Sequence, residues 1–247
     1  MSKDTYWVTG IHAVTAVINR RPAAVQRLLI RQGRDDKRLT ELREAAKSAG
    51  LDWEEVDGTE LAAVGEDTHQ GVAAELSQQK TLLSEKTLLA QLESLPHAPL
   101  LLVLDGVTDP HNLGACLRTA DAAGVDAVII PKDKSAGLSA TVSRVASGAA
   151  ETVDLVEVTN LSRCLKNLKD NNIWIVGTSD QAETSLFNQD LTGPIALVMG
   201  SEGAGIRRLT AEQCDFLVSI PMAGDLSSLN VSVATGIALF EAVRQRP

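Results

Sequence analysis

"PLLLVLDGVTDPHNLGACLRTADAAG" spans residues 99–124. It opens on a near-continuous apolar run that stops at Asp105-Gly106. A turn follows at Asp109-Pro110, then a helical pattern from about residue 113 that Gly124 closes. Such a short apolar run, ended by Gly, Pro or a polar cluster, reads as a strand buried on both faces and therefore parallel. The pattern recurs in "DAVIIPK" (126–132), "VDLVEV" (153–158), "IWIVGTS" (173–179), "IALVMGSE" (195–202) and "FLVSIPM" (216–222). Helical stretches lie between them: "LSATVSRVASGAA" (138–150) and "NLSRCLKNLKDNN" (160–172). These runs and helices predict a layered α/β parallel sheet over residues 99–247.

Upstream the character differs. Residues 1–77 alternate short elements: a helix at "GIHAVTAVIN", a strand at "VQRLLIRQG", a helix at "KRLTELREAAKSAG" closed by Gly50, and a strand at "GVAAEL". This predicts a small α/β or α+β domain. Residues 78–98 are polar with a few leucines and run into prolines, which reads as a linker carrying a short helix.

The chain has 247 residues, enough for one large domain or two smaller ones. Aromatic residues are 3%, so the core is aliphatic. No apolar run approaches the roughly 20 residues of a membrane helix, and "MSKDTYWVTG" has no apolar leader segment, so no export is expected. Cys116, Cys164 and Cys214 are odd in number and far apart, which fits neither a disulfide frame nor a zinc knuckle. They read as reduced thiols of a cytoplasmic protein. His12, His69, His97 and His111 are scattered and suggest no metal site. The net charge of −9 argues against nonspecific coating of nucleic acid. A local basic stretch nevertheless holds Arg20, Arg21, Arg27, Arg31, Arg34, Lys37 and Arg38 against Asp35 and Asp36. It is either a solvated surface or a nucleic-acid face. Lys132, Lys134, Arg144, Arg207 and Arg208 could extend such a face.

In open parallel sheets, ligands bind beyond the C-terminal ends of the strands. Three clusters fall there. In the first, Asn112 is a candidate helix cap and Arg118 lies further along the helix. In the second, Gly200-x-x-Gly203-x-Gly205 matches neither the dinucleotide fingerprint nor a phosphate loop, and Glu202 disfavours phosphate. A cationic or hydroxyl-bearing ligand suits it better. In the third, "SSLNVSVATG" (227–236) loads Ser227, Ser228, Asn230, Ser232 and Thr235 onto the start of a helix expected from about 230 to 245. A serine cap explains Ser228 and leaves the others without a reason.

Taken together, Asn112-x-Gly114-x-x-x-Arg118, Leu197–Gly203, and Ile220-Pro221-Met222 through Ser228–Ala234 resemble the three motifs of the SpoU (TrmH) family, in the family's order. These are ribose 2′-O-methyltransferases of the knotted SPOUT class. The resemblance covers the whole chain. It is strongest toward the bacterial members that methylate a guanosine of 23S rRNA. It implies a C-terminal trefoil knot and S-adenosylmethionine as co-substrate, without a metal. It implies cofactor contacts at Gly200, Ile220 and Leu229. It casts Asn112, Arg118, Glu202, Ser228 and Asn230 as catalytic. It further implies a homodimer, a ribosomal-protein-like RNA-binding domain over residues 1–77, and a target guanosine in the large-subunit P-site loop of 23S rRNA or of a ribosomal precursor. The rival readings are a tRNA ribose methyltransferase, a silent RNA-binding assembly factor, and a Rossmann dehydrogenase, which would lack its glycine fingerprint here.

Overall fold

The computed structural model describes residues 5–33, 36–64, 69–77, 80–226 and 228–246. Arg34 and Asp35 of the basic stretch, and Ser227 of the last motif, lie outside the described residues. The chain divides into two compact units. One holds the residues up to Thr81 together with Ser143–Thr152, and the other holds Leu82–Val142 and the residues from Val153 onward.

The first unit carries β1 (Tyr6–Thr9), α1 (Ile11–Arg20), β2 (Val25–Arg31), α2 (Lys37–Ser48), β3 (Glu54–Val56), α3 (Gly58–Val64) and β4 (Val72–Leu76). Its sheet runs β1-β4-β2-β3, with β4 antiparallel to both neighbours and β2 parallel to β3. Ile11, Val14, Val17 and Ile18 recur at helical spacing, and that face of α1 packs with Leu39 and Leu42 of α2 over Leu28, Ile30 and Val72. Asp36 caps α2 by accepting from the backbone N–H of Arg38 and Leu39. Gly50 closes the helix at φ +70°, which a glycine adopts without strain. The pattern reading missed β1, β3 and α3, all short. Much of the basic stretch is locally neutralised. Arg27 donates to Glu54 through Nε and Nη2 at 3.1 and 2.8 Å, Arg21 meets Glu151 at 2.9 Å, and Lys37 meets Glu41 at 3.9 Å.

The remaining elements are α4 (Glu85–Leu92), β5 (Leu100–Asp105), α5 (Pro110–Ala122), β6 (Ala127–Pro131), α6 (Ala140–Ala146), α7 (Ala149–Thr152), β7 (Leu155–Val158), α8 (Leu161–Asp170), β8 (Trp174–Thr178), β9 (Ile195–Gly200), α9 (Arg208–Ala211), β10 (Phe216–Val218) and α10 (Val231–Gln245). Their six-stranded sheet is parallel throughout, in the order β10-β8-β9-β5-β6-β7. Every residue of β5 and β6 is buried, as strands covered on both faces require.

Two helix expectations need correction. The single helix expected over 138–150 is two, broken where Ser147 and Gly148 take φ of +51° and +99°. A Cβ on Gly148 would lie 3.1 Å from the backbone of His12 and Ala13. The helix expected from 113 begins at Pro110 instead. Asp109 is its cap, accepting from the N–H of His111 at 2.9 Å, with proline in the first turn where no N–H is missed.

The last helix is held at its far end. Arg246 donates to the carbonyls of Ala98, Pro99, Leu191 and Gly193 at 2.9, 3.1, 3.2 and 2.7 Å. These carbonyls sit just before β5 and β9, so α10 runs from the carboxyl ends of these two central strands back to their amino ends.

Candidate active site

Strand order decides where a site can form. From β5 the chain steps outward to β6 and β7, then returns to lay β8, β9 and β10 on the other side. The reversal lies between β5 and β9, which pair over six residues from Leu100↔Ile195 to Asp105↔Gly200. A parallel sheet opens a crevice at the carboxyl ends of such a pair.

Three predicted residues meet there. Asn112 is in the first turn of α5 and buried, at 9% exposure. Because Asp109 caps the helix, the Asn112 amide is left for longer-range bonds. Its Nδ2 donates to Oε1 of Glu202 at 3.1 Å. Asn230 donates from its own Nδ2 to Oδ1 of Asn112 at 3.0 Å and to Oε1 of Glu202 at 2.6 Å. These bonds join parts of the chain 90 and 118 residues apart.

Asn230 is also the cap of α10. Its Oδ1 accepts from the backbone N–H and the hydroxyl of Ser232 at 2.9 and 2.6 Å. The serine cap weighed for Ser228 is therefore replaced by an asparagine. Ser232 braces that cap. Thr235, fully buried, donates to the carbonyl of Val231 at 2.7 Å and accepts from Sγ of Cys116 at 3.6 Å. The polar load of "SSLNVSVATG" thus divides: Asn230 faces the cluster, while Ser232 and Thr235 satisfy the helix.

Glu202 rides on a tight loop. Ser201 and Gly205 exchange backbone hydrogen bonds at 3.1 and 2.9 Å, and Gly203 and Gly205 take φ of +77° and +65°. Gly200 admits no side chain, because a Cβ there would fall 2.1 Å from the carbonyl carbon of Gly205. The loop's exit is fixed by Asp105, the last residue of β5 and fully buried. Its carboxylate accepts from the backbone N–H and Nε of Arg207 at 2.9 and 2.6 Å, with Nη2 at 2.5 Å. The sequence reading took Asp105 only as the end of a strand. A carboxylate closing a wholly apolar run is the signal that a cation is paired with it.

The other predicted residues are placed by their elements. Arg118 is exposed on α5, six residues beyond Asn112. Ser228 is exposed and Leu229 half-buried in the segment before the cap of α10, while Ile220 is half-buried just after β10. Burial pushes the thiols of Cys116, Cys164 and Cys214 up to about 11, 12 and 12, so they stay protonated and are poor nucleophiles at neutral pH. Among the described residues, no group of three His, Cys, Asp or Glu could hold a metal ion. Nor is any described helix long and apolar enough to cross a membrane.

The family model for SpoU rRNA methylases matches residues 99–240, and that for the substrate-binding domain of RNA 2′-O ribose methyltransferases matches residues 7–82. The chain belongs to the SpoU rRNA methylase family. A 23S rRNA (guanosine-2′-O-)-methyltransferase RlmB of Pseudomonas aeruginosa is 55% identical over 239 residues, 97% of this chain and 96% of the relative. The enzyme of the same name from Yersinia pestis is 55% identical over 240 residues, 97% of each chain. Among solved structures, the SpoU methyltransferase AviRb of Streptomyces viridochromogenes, in complex with the cofactor AdoMet, superposes with a TM-score of 0.75 at 26% identity. That match covers 98% of this chain and 90% of the other. The parallel α/β sheet is thus the family's fold, and the Asn112–Glu202–Asn230 cluster falls within the residues matched by the methylase model.

Proposed function

We propose that this protein transfers a methyl group from S-adenosylmethionine to the ribose 2′-hydroxyl of a guanosine in 23S rRNA, within the large-subunit P-site loop. The observation that carries the reading is the convergence of Asn112, Glu202 and Asn230 at the switch point of the sheet. Relatives 53–55% identical over nearly the whole chain, named as 23S rRNA guanosine 2′-O-methyltransferases, support the substrate. A glycine loop without room for a Cβ at Gly200, carrying an exposed carboxylate, fits a cationic sulfonium better than a phosphate.

When bound, S-adenosylmethionine supplies an electrophilic methyl for in-line displacement. In this reading Gly200, Ile220 and Leu229 line the cofactor, and much of the rate comes from alignment of the reacting groups. Asn112 and Asn230 orient Glu202 through neutral amides, so its charge stays unspent. The Arg118 guanidinium holds the phosphate next to the target ribose, stabilising developing charge on the 2′-oxygen. Ser228 orients the ribose. Residues 1–77 serve as the ribosomal-protein-like RNA-binding domain, and residues 99–247 form the knotted methyltransferase domain. A cytoplasmic homodimer completes the picture. Val233, Phe240 and Val243 stand exposed along α10 as an apolar contact for a second copy.

The test incubates unmodified 23S rRNA, or ribosomal precursor particles, with protein and S-adenosylmethionine carrying a labelled methyl. Labelled 2′-O-methylguanosine at one position, lost in Arg118→Ala, is the expected result. Cofactor binding with no label in any RNA would overturn the reading in favour of a silent assembly factor.

A further inference from the structure

A second recess opens along the same edge of the sheet. It has a volume of about 350 Å³ and lies over the carboxyl ends of β6 and β7, where Pro131 and Thr159 form part of its wall. That is within the roughly 300–1,000 Å³ of small-ligand sites and is large enough for one nucleotide. Three of its lining side chains are basic: Lys134, Arg207 and Arg208.

These cations differ in how they are held. Asp105, buried at the end of β5, grips Arg207 through Nε, Nη2 and the backbone N–H. A guanidinium has five N–H donors, and this grip leaves Nη1 free to serve a second acceptor from a fixed position. The Arg207 side chain remains 43% exposed. Arg208 pairs with Glu212, but both side chains are at least half exposed, and such a pair exchanges readily for another anion. Lys134 is exposed beside them. Asp133 also lines the recess and is the opposing charge there.

Position then selects the ligand. Along the edge, Ile220 follows β10 and Gly200 ends β9, on one side of the cluster. Asn112 follows β5 at the centre. The basic recess lies on the other side, over β6 and β7. The cofactor residues and the recess therefore flank the reacting centre, with Glu202 and Arg207 at opposite ends of one short loop.

Resting on the methyltransferase reading above, we propose that this recess receives the RNA nucleotide adjacent to the methylated one. Lys134, Arg207 and Arg208 bind its phosphodiester, and Asp105 is the positioning residue that aims Arg207. Recognition there is by charge and shape, and the target ribose is delivered from the side opposite the cofactor.

The experiment compares full-length wild type, the double variant K134Q/R208Q, and K166Q, which removes an exposed lysine of α8 outside the recess. Arg207 is left intact, because its removal would strand a buried carboxylate. Filter binding of transcribed 23S rRNA is measured from 50 to 300 mM salt. S-adenosylmethionine affinity and melting temperature are measured alongside. K134Q/R208Q should bind RNA about tenfold more weakly at 150 mM salt, with the slope of log affinity against log salt reduced by about 1–2. Its cofactor affinity and melting temperature should match wild type, and K166Q should bind RNA within twofold of wild type. Equal affinity and slope for K134Q/R208Q and wild type would overturn the recess, as would an equal loss in K166Q or no RNA binding by wild type. Methyl transfer by wild type is scored separately. Its absence would sink the reading of the function, while the binding comparison would still decide the recess.

Discussion

Asp105 and Glu202 belong to neighbouring parallel strands, one ending β5 and the other two residues past β9, and they carry the same charge in opposite settings. Asp105 is fully buried and given over to a guanidinium. Glu202 is exposed, and the donors that reach it are the neutral amides of Asn112 and Asn230. A buried carboxylate must be compensated by a cation or it destabilises the fold. A carboxylate held by amides is fixed in place yet keeps its charge for a ligand. In the proposed function, the contrast separates a residue that builds the site from one that acts in it.

The comparison breaks most visibly at Asp105. Asp105→Asn keeps the shape and removes the charge. It should cost about 2–3 kcal/mol, because Arg207 loses its partner. The melting temperature should fall by about 5–10 °C in a thermal melt, since each kcal/mol moves a chain of this size by about 2–4 °C. Glu202→Gln should reverse the balance. Its melting temperature should stay within about 1–2 °C of wild type, while single-turnover methyl transfer slows by roughly 10–100-fold. A melt as depressed as that of Asp105→Asn would show that Glu202 is structural after all.

Asn230→Ser sharpens the same line within one residue. Serine retains a good helix cap but cannot reach Asn112 and Glu202 with an amide. Stability should be nearly unchanged, and turnover should fall by about tenfold. An unchanged rate would reduce Asn230 to a cap.

The smallest effect concerns a third carboxylate, Glu241 on α10. Arg244 donates to it through Nε and Nη2 at 2.8 Å each, and Gln245 adds a bond at 2.8 Å. Arg244 and then Gln245 lower its pKa to about 2. The folded state therefore favours the ionised form. The resulting stability is present above the ordinary carboxylate range and is lost as pH falls toward 2. In urea melts from pH 6 to pH 2, Glu241→Gln should be modestly less stable than wild type at neutral pH and converge with it toward pH 2, so less of its stability is lost on the acid side.

Most of the sheet was legible because strands buried on both faces leave an unmistakable apolar signature. Leu100–Leu104 and Ile195–Met199 read as strands from composition alone. β1 (Tyr6–Thr9) and β3 (Glu54–Val56) did not, since neither carries the aliphatic run that marks the equally short β7 and β10. The helix break at Ser147-Gly148 was hidden for another reason: Gly148 takes a positive φ and lies against the backbone of His12 and Ala13, far away in sequence. In the site, residue types were legible and partnerships were not. Asn112 looked like a cap until Asp109 was seen to hold that place. The pairing of Asp105 with Arg207 spans 102 residues, and no local pattern encodes it.

The two ends of α10 bear on when the Asn112–Glu202–Asn230 cluster can assemble. Asn230 joins Asn112 across 118 residues, and Arg246 reaches Ala98 across 148. A ribosome releases the chain from its N-terminus at roughly 5–20 residues per second, and contacts this distant are slow to close. The strands and the glycine loop are therefore synthesised before the segment that completes the cluster. Until Asn230 has emerged, the bonds it makes to Asn112 and Glu202 cannot form.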